Sequence, residues 1–438
     1  MSKRKETYET GAPAGRYLWP LILVLFFAGI FLLPVQLRYV LFYSRAGYYA
    51  WMNLIMTGAL LILFALKRRY TLIEIILTVV WLLLLIPMFL SNIEGGVESS
   101  KTAATVVNTW LPLFLLFHRM GTDYRKKVIQ AFLIIFDLIV IAFLLLAVHE
   151  KMTQGGWLAD FDRWLGQKGY DSIRDMKLYV TFMHASPFRF CSLWGHALTN
   201  CAFFNGFFIL NDIYFRSLGK RYPKLIFFLI ALAGVLLCVG KTAIVTLLVY
   251  LVISNWRHKK WFIVYAAAVL VMYLSGFFES IINRFTTGSL TSGRVDAIIA
   301  YFGGNVYPLK TWTGYGAGTA YLKGMAPLRP AFEFPPLMYA LNYGIVFSGI
   351  ILGTIVFYVS WQMLSRRQIA SWMGAGLFFL QMNTYNGIAL CSQDMFWYTM
   401  FFLMMAINCV GMTDYLPKKE PAPVQGFKGM LIHIICCE

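Results

Sequence analysis

Apolar runs about as long as a bilayer is thick follow one another along most of the chain, separated by short polar connections rich in Lys and Arg. A helix needs about 20 mostly apolar residues to cross ~30 Å of hydrocarbon. Runs of that kind are read near 17–36, 48–66, 71–90, 102–118, 128–148, 190–213, 225–240, 242–255, 261–279, 335–361, 369–390 and 393–413. The seventh and eighth are short and meet at Gly240-Lys241, which predicts one bent hairpin. The pattern predicts an all-α, polytopic membrane protein of about twelve transmembrane helices, a single integral membrane domain over 1–438.

The basic residues beside these runs set an orientation. One set of alternate connections holds Lys3, Arg4, Lys5 and Arg16; Lys67, Arg68 and Arg69; Arg119, Arg125, Lys126 and Lys127; and Arg216, Lys220, Arg221 and Lys224. It continues with Arg257, Lys259 and Lys260, then Arg366 and Arg367, then Lys418, Lys419 and Lys428 in the tail at 414–438. Cytoplasmic flanks carry the excess of Lys and Arg, so these connections and both termini are expected in the cytoplasm, at the cell membrane. Two long connections then fall on the outer face, about 149–188 and 280–334. Both mix charge, Gly and aromatics, with Trp157, Trp164 and Tyr170 in one and Trp312, Tyr315 and Tyr321 in the other. Long loops of this kind usually carry function.

Composition agrees with that picture. The chain is 59% hydrophobic and 13% charged, against roughly 25% charged residues in soluble domains. In a soluble protein a net charge of +18 would suggest nucleic acid. Here its location in the flanks accounts for it, and no nucleic-acid partner is expected. The seven Cys show no metal-ligand spacing and mostly sit in apolar runs, where they serve as small packing groups. No cleavable signal peptide is read at the start, because the first apolar run reads as a membrane span.

The outer-face cations run against the positive-inside rule and are therefore the candidate chemistry. Arg189 opens the sixth span, Lys241 sits at the outer turn of the hairpin, and Arg284 and Arg294 bracket a Thr/Ser/Gly stretch. A guanidinium is permanently charged, planar and bidentate, which suits it to phosphate; the bland reading of each is snorkelling to headgroups. Gly314-Tyr315-Gly316-Ala317-Gly318 can bring backbone close to a ligand, though such a motif is weak alone. Glu333, the only acidic residue between Asp296 and Asp394, is a candidate base at the loop–lipid boundary, or else a salt-bridge partner. His196, Asn200 and Asp137 are intramembrane polar residues, either functional or hydrogen-bonded helix contacts. No zinc spacing, Ser-His-Asp arrangement or phosphate-binding loop is read, so neither a metal nor another cofactor is expected.

Phe188-Arg189-Phe190-Cys191-Ser192-Leu193-Trp194-Gly195-His196-Ala197 resembles the Arg-x-x-(Ser/Gly)-x-Phe-Gly-His/Asn-Pro run of the O-antigen ligase and Wzy-type polysaccharide polymerase superfamily, with Ala197 in place of Pro. Gly240-Lys241-Thr242-Ala243 stands where that family often has Ser-Arg-Gly/Thr before a helix. Arg284 through Ser292-Gly293-Arg294 is similar to its Arg…Ser-Gly-Arg segment, and Gly314 to Gly318 to its Gly-x-Gly-x-Gly. The ligases then carry His and a polar residue, nine residues, and Gly; here Glu333-Phe334 precede nine residues and Gly344. Glu for His and Phe for the polar residue point toward the polymerases, whose members vary here.

The resemblance covers about Arg189 to Gly349. It implies a GT-C-like enzyme that joins undecaprenyl-diphosphate-linked oligosaccharides on the outer face by metal-independent, inverting glycosyl transfer. O-antigen, capsule or exopolysaccharide would be the product, and a chain-length regulator a possible partner. It implies Glu333 as base, with Arg189 and Arg294 on the diphosphate. Arg284, Lys241, His196 and Tyr315 would line the substrate. A ligase and a polysaccharide-lipid flippase are the competing expectations.

Overall fold

A computed structural model of the chain describes residues 15–33, 57–64, 70–167, 188–194, 196–256, 260–287, 308–317, 334–384 and 395–415, with a few isolated positions between them. The described residues form helices and turns, with no strand among them. In chain order the helices are α1 (Gly15–Phe27), α2 (Leu72–Leu83), α3 (Leu85–Glu94), α4 (Ser99–Thr105), α5 (Arg125–Thr153), α6 (Gly156–Gln167), α7 (Ala197–Ser217) and α8 (Lys224–Cys238). There follow α9 (Lys241–Asn255), α10 (Lys260–Leu274), α11 (Glu279–Thr287), α12 (Pro335–Tyr343), α13 (Ile345–Leu364), α14 (Ile369–Met382) and α15 (Met395–Val410). Four helical stretches, Leu72–Glu94, Arg125–Thr153, Ile345–Leu364 and Met395–Thr413, are long and apolar enough to cross a membrane, and four shorter helices are also apolar.

Local chemistry explains where several of these helices start and stop. Thr71 and Glu74 cap α2 reciprocally: the Thr71 hydroxyl accepts from the Glu74 N–H, and the Glu74 carboxylate accepts from the Thr71 N–H. Pro87 has no N–H to return to the turn before it, and the α2–α3 stretch breaks at Leu84. The expected span at 102–118 is not one α-helix. It passes from α4 through a π turn at Val106–Trp110 into a 3-10 stretch at Leu111–Phe117. The expected span at 335–361 is also divided, at Gly344, whose φ of 101° favours glycine.

Two helices form the centre. Every residue of α15 is buried, as is nearly all of α7, and a helix apolar on all sides has to be surrounded by protein or lipid. Aromatic rings fill the space between them: Phe203 of α7 lies 4.2 Å from Tyr398 of α15, and Phe378 of α14 stacks on Phe402 at 3.8 Å. The perimeter is apolar as well. Ile134, Leu138, Ile141 and Leu145 of α5 and Ile75, Ile76, Val79 and Leu82 of α2 are exposed. Patches of that extent are uncommon on soluble monomers, and hydrocarbon removes their cost.

The helix ends gather at two levels. At one, Arg119 donates to the Tyr358 hydroxyl (2.7 Å), which donates to Glu74 (2.7 Å). Also at this level, Asn408 accepts from the Met120 N–H and donates to the His118 carbonyl, and Asp212 meets Arg216 and Lys224. The other level holds the 91–97 turn, the start of α7, the α8–α9 turn and residues 308–317. The basic flanks Arg125-Lys126-Lys127, Arg216, Lys220-Arg221 and Arg366-Arg367 all belong to the first level, as the alternation of charge predicts. A reporter fused after Arg221 is expected to read cytoplasmic and one fused after Gly155 external; a cytoplasmic reading at Gly155 would invert the orientation.

Candidate functional site

The expected sixth span starts late. Residues 188–194 are not helical, and Phe190, Cys191, Ser192, Leu193 and Trp194 are buried. Irregular backbone is tolerated at membrane depth only where protein or a polar cavity satisfies its hydrogen bonds, and here the neighbouring helices do so. The Phe190 N–H donates to the Leu237 carbonyl (2.9 Å), and the Asn200 amide donates to the Phe190 carbonyl (3.3 Å). Ser192 donates to Asn200 Oδ1 (2.6 Å) and accepts from the Trp194 N–H. Trp194 then stacks on Phe203 at 3.6 Å. Asn200 therefore anchors the segment that carries Arg189 rather than pairing with His196. Arg189 itself is half-buried.

His196 caps α7: its Nδ1 accepts from the Leu198 N–H at 3.1 Å. A turn of two residues joins α8 to α9. Val239, with φ 56°, ends α8, and Gly240 leads into α9 without a side-chain cap. Gly240 is required by space, since a Cβ there would lie 2.3 Å from Cys201 Sγ. Lys241 is the first residue of α9, half-buried, with its ammonium 4.9 Å from the centre of the Phe285 ring on α11. Arg284 belongs to that same helix.

The level of this turn follows from helix lengths. At 1.5 Å per residue α8 rises only about 22 Å, against about 30 Å of hydrocarbon. The contact of Gly240 with Cys201 agrees, because Cys201 lies one turn inside the start of α7. Arg189, Lys241 and the N-terminus of α9 thus share a step about one helical turn below His196. Backbone N–H groups at a helix N-terminus favour an anion, and Lys241, as the first residue of α9, adds to that field.

Tyr315 belongs to a different cluster. Its hydroxyl donates to the Pro308 carbonyl (2.9 Å), and the Lys310 ammonium lies 4.6 Å from its ring. The glycines around it serve the chain's own backbone. The Gly314 N–H donates to Ser91, the Ala317 N–H to Asn92, and the Tyr315 and Gly316 N–H groups to the Leu341 and Asn342 carbonyls. A Cβ on Gly314 would lie 2.2 Å from the Asn342 carbonyl carbon, and one on Gly316 would lie 2.9 Å from the Ser91 carbonyl oxygen. Gly314 and Gly316 therefore hold this loop between the 91–97 turn and the α12–α13 break. Gly314→Ala is expected to cost stability at the upper end of about 1–3 kcal/mol, read as a lower melting temperature in detergent. An unchanged melting temperature with lost activity would instead assign Gly314 to a ligand contact.

Arg294, Gly318 and Glu333 lie outside the described residues. Asp137, the intramembrane carboxylate of α5, accepts from the Asn211 amide of α7 at 2.8 Å, a helix-to-helix contact. Three groups escaped the sequence reading: Ser192, the buried carboxylate of Glu150, and the Asp212 cluster. Only the polar letters within apolar runs could have pointed to them. Comparison of the chain with known protein families, with curated proteins and with solved structures found no match.

Proposed function

We propose that the chain is a polymerase of a bacterial surface polysaccharide, joining undecaprenyl-diphosphate-linked repeat units on the outer face of the cytoplasmic membrane. In this reading about twelve spans hold a GT-C-like site, with both termini in the cytoplasm. What carries it is the placement of Lys241 at the uncapped start of α9, with Arg189 next to Phe190, whose N–H is tied to Leu237 in the last turn of α8. A lipid-linked diphosphate is a leaving group that gains charge as the glycosidic bond breaks, and fixed cations and backbone N–H groups stabilise that charge. Placed about a turn below the bundle's upper rim, such a site meets a headgroup whose polyprenyl chain remains in the hydrocarbon.

Glu333 is the proposed base for the attacking sugar hydroxyl, and Arg284 and Arg294 complete the cationic set. Fixed cations do the work often given to a metal. Turnover of purified protein on lipid-linked repeat units is therefore expected to persist in EDTA, and loss with recovery on magnesium would contradict this part. Deletion in the source organism, with gel analysis of surface glycan, tests the whole reading. Loss of the long ladder with single repeats retained supports a polymerase. Polymer that still forms but fails to reach its final acceptor means a ligase, and loss of every external lipid-linked product means a flippase.

A further inference from the structure

The first long connection opens with a helix whose surroundings are specific. The run Val128–Val148 of α5, broken by Gln130 and Asp137, rises about 31 Å at 1.5 Å per residue, the thickness of the hydrocarbon core. Thr153, where α5 ends, lies about 8 Å beyond it, in the headgroup zone. There the chain turns sharply: Gln154 and Gly155 both have positive φ, and α6 begins at Gly156. Glu150 fastens the corner. Its carbonyl accepts from the Gly155 N–H (2.8 Å), and its buried carboxylate accepts from the Leu158 N–H in the first turn of α6 (3.2 Å).

At 100° per residue, Trp157, Phe161 and Trp164 fall within about 60° of one another on α6, with Leu158 about 60° further round on the Phe161 side; Asp160, Gln167 and Arg163 follow in turn on the Trp164 side. Leu158 is buried against the bundle, but Trp157 and Trp164 remain 43% and 42% exposed. Asp160 and Arg163 pair at 3.1 Å on the open polar side. The rings are stacked on one another, Trp157 on Phe161 at 5.5 Å and 5°, Phe161 on Trp164 at 5.9 Å and 20°. At these separations the rings are offset along a continuous apolar row, and both tryptophans keep open surface.

We propose that α6 lies in the outer membrane–water interface, with the Trp157–Phe161–Trp164 edge buried among lipid glycerol and upper acyl groups. The inference rests on the chain crossing a bilayer, and its assignment to the outer side on the orientation expected from the basic flanks. Amphipathic helices of this kind sink their apolar side about 5–10 Å into that boundary, and Trp collects there. Through Lys151, 5.5 Å from the Phe277 ring, the corner also meets the turn that leads into α11.

The test uses full-length protein in phosphatidylcholine vesicles whose lipids carry bromine either near the top of the acyl chains or near the bilayer centre. The Trp157 and Trp164 contribution is the emission of the wild type minus that of Trp157→Phe/Trp164→Phe, a change that keeps the aromatic row and so the fold. It is expected to be quenched at least about twofold more by the shallow bromine than by the deep one. Quenching by aqueous iodide with none by either lipid would overturn the proposal, whether water or a saccharide covers the row. Protection from both lipid and iodide would overturn it in favour of a protein contact.

Discussion

Lys241→Ala and Arg189→Ala should each lower turnover of lipid-linked repeat units by roughly 10²–10³-fold, the usual effect of removing one preorganised group from a charge-stabilising site. The expectation comes from position more than from residue type. Lys241 opens α9 at a turn that a 15-residue α8 cannot carry to the bilayer surface. Arg189 precedes Phe190, whose N–H is tied to Leu237 in the last turn of that same helix. A cation that merely reached for headgroups would stand at the rim. Lys in place of Arg189 should recover little, because a point charge lacks the bidentate fork, whereas Arg in place of Lys241 should recover more. Thermal stability measured on the same purified variants gives the control. Lost turnover with unchanged melting assigns both residues to the reaction; lost melting with unchanged turnover per folded molecule returns them to packing.

How far the sequence carried this picture differs from element to element. The hairpin at Gly240-Lys241 was legible because two short apolar runs meet at a Gly and a Lys, and the structure turns there. The alternation of basic flanks anticipated which helix ends share a level. The late start of α7 was not legible. Phe190 to Trp194 are nearly as apolar as a helix, and what holds Phe190 out of one is a pair of tertiary hydrogen bonds, to Leu237 and from Asn200. The break at Val106–Phe117 is similar: Asn408, far along the chain, satisfies the Met120 N–H and the His118 carbonyl just beyond it. The glycines at 314 and 316 were visible as a motif, but their purpose was not. A close approach of backbone to backbone and of backbone to ligand require the same residue, and only the partner at Asn342 decides between them.

Asp212→Asn should be among the most destabilising single changes in the protein, costing about 3–5 kcal/mol, with turnover per folded molecule preserved. Asp212 is 2% exposed near the end of α7. It receives the Lys224 ammonium at 2.9 Å, Arg216 at 3.2 Å, and the hydroxyls of Tyr222 and Tyr250 at 2.6 and 2.7 Å. Burial and the neighbouring carboxylate push the Tyr222 hydroxyl well above its ordinary range, so it donates as a neutral phenol. Arg216 and Lys224 also both donate to Ser254 on α9, so one carboxylate fastens the basic ends of α7, α8 and α9. Removing its charge leaves two cations facing each other in a largely dry space, which explains a loss larger than any one hydrogen bond. Asp212→Leu combined with Lys224→Met removes one of the two stranded cations together with the carboxylate, and an apolar replacement of a buried pair is often neutral. That double variant should melt well above Asp212→Asn alone, and the cycle completed with Asp212→Leu and Lys224→Met singly measures the coupling. Equal melting of the two variants would mean the cluster acts through Asp212 alone. A loss of turnover at full stability would instead tie this level of the bundle to the reaction at the other.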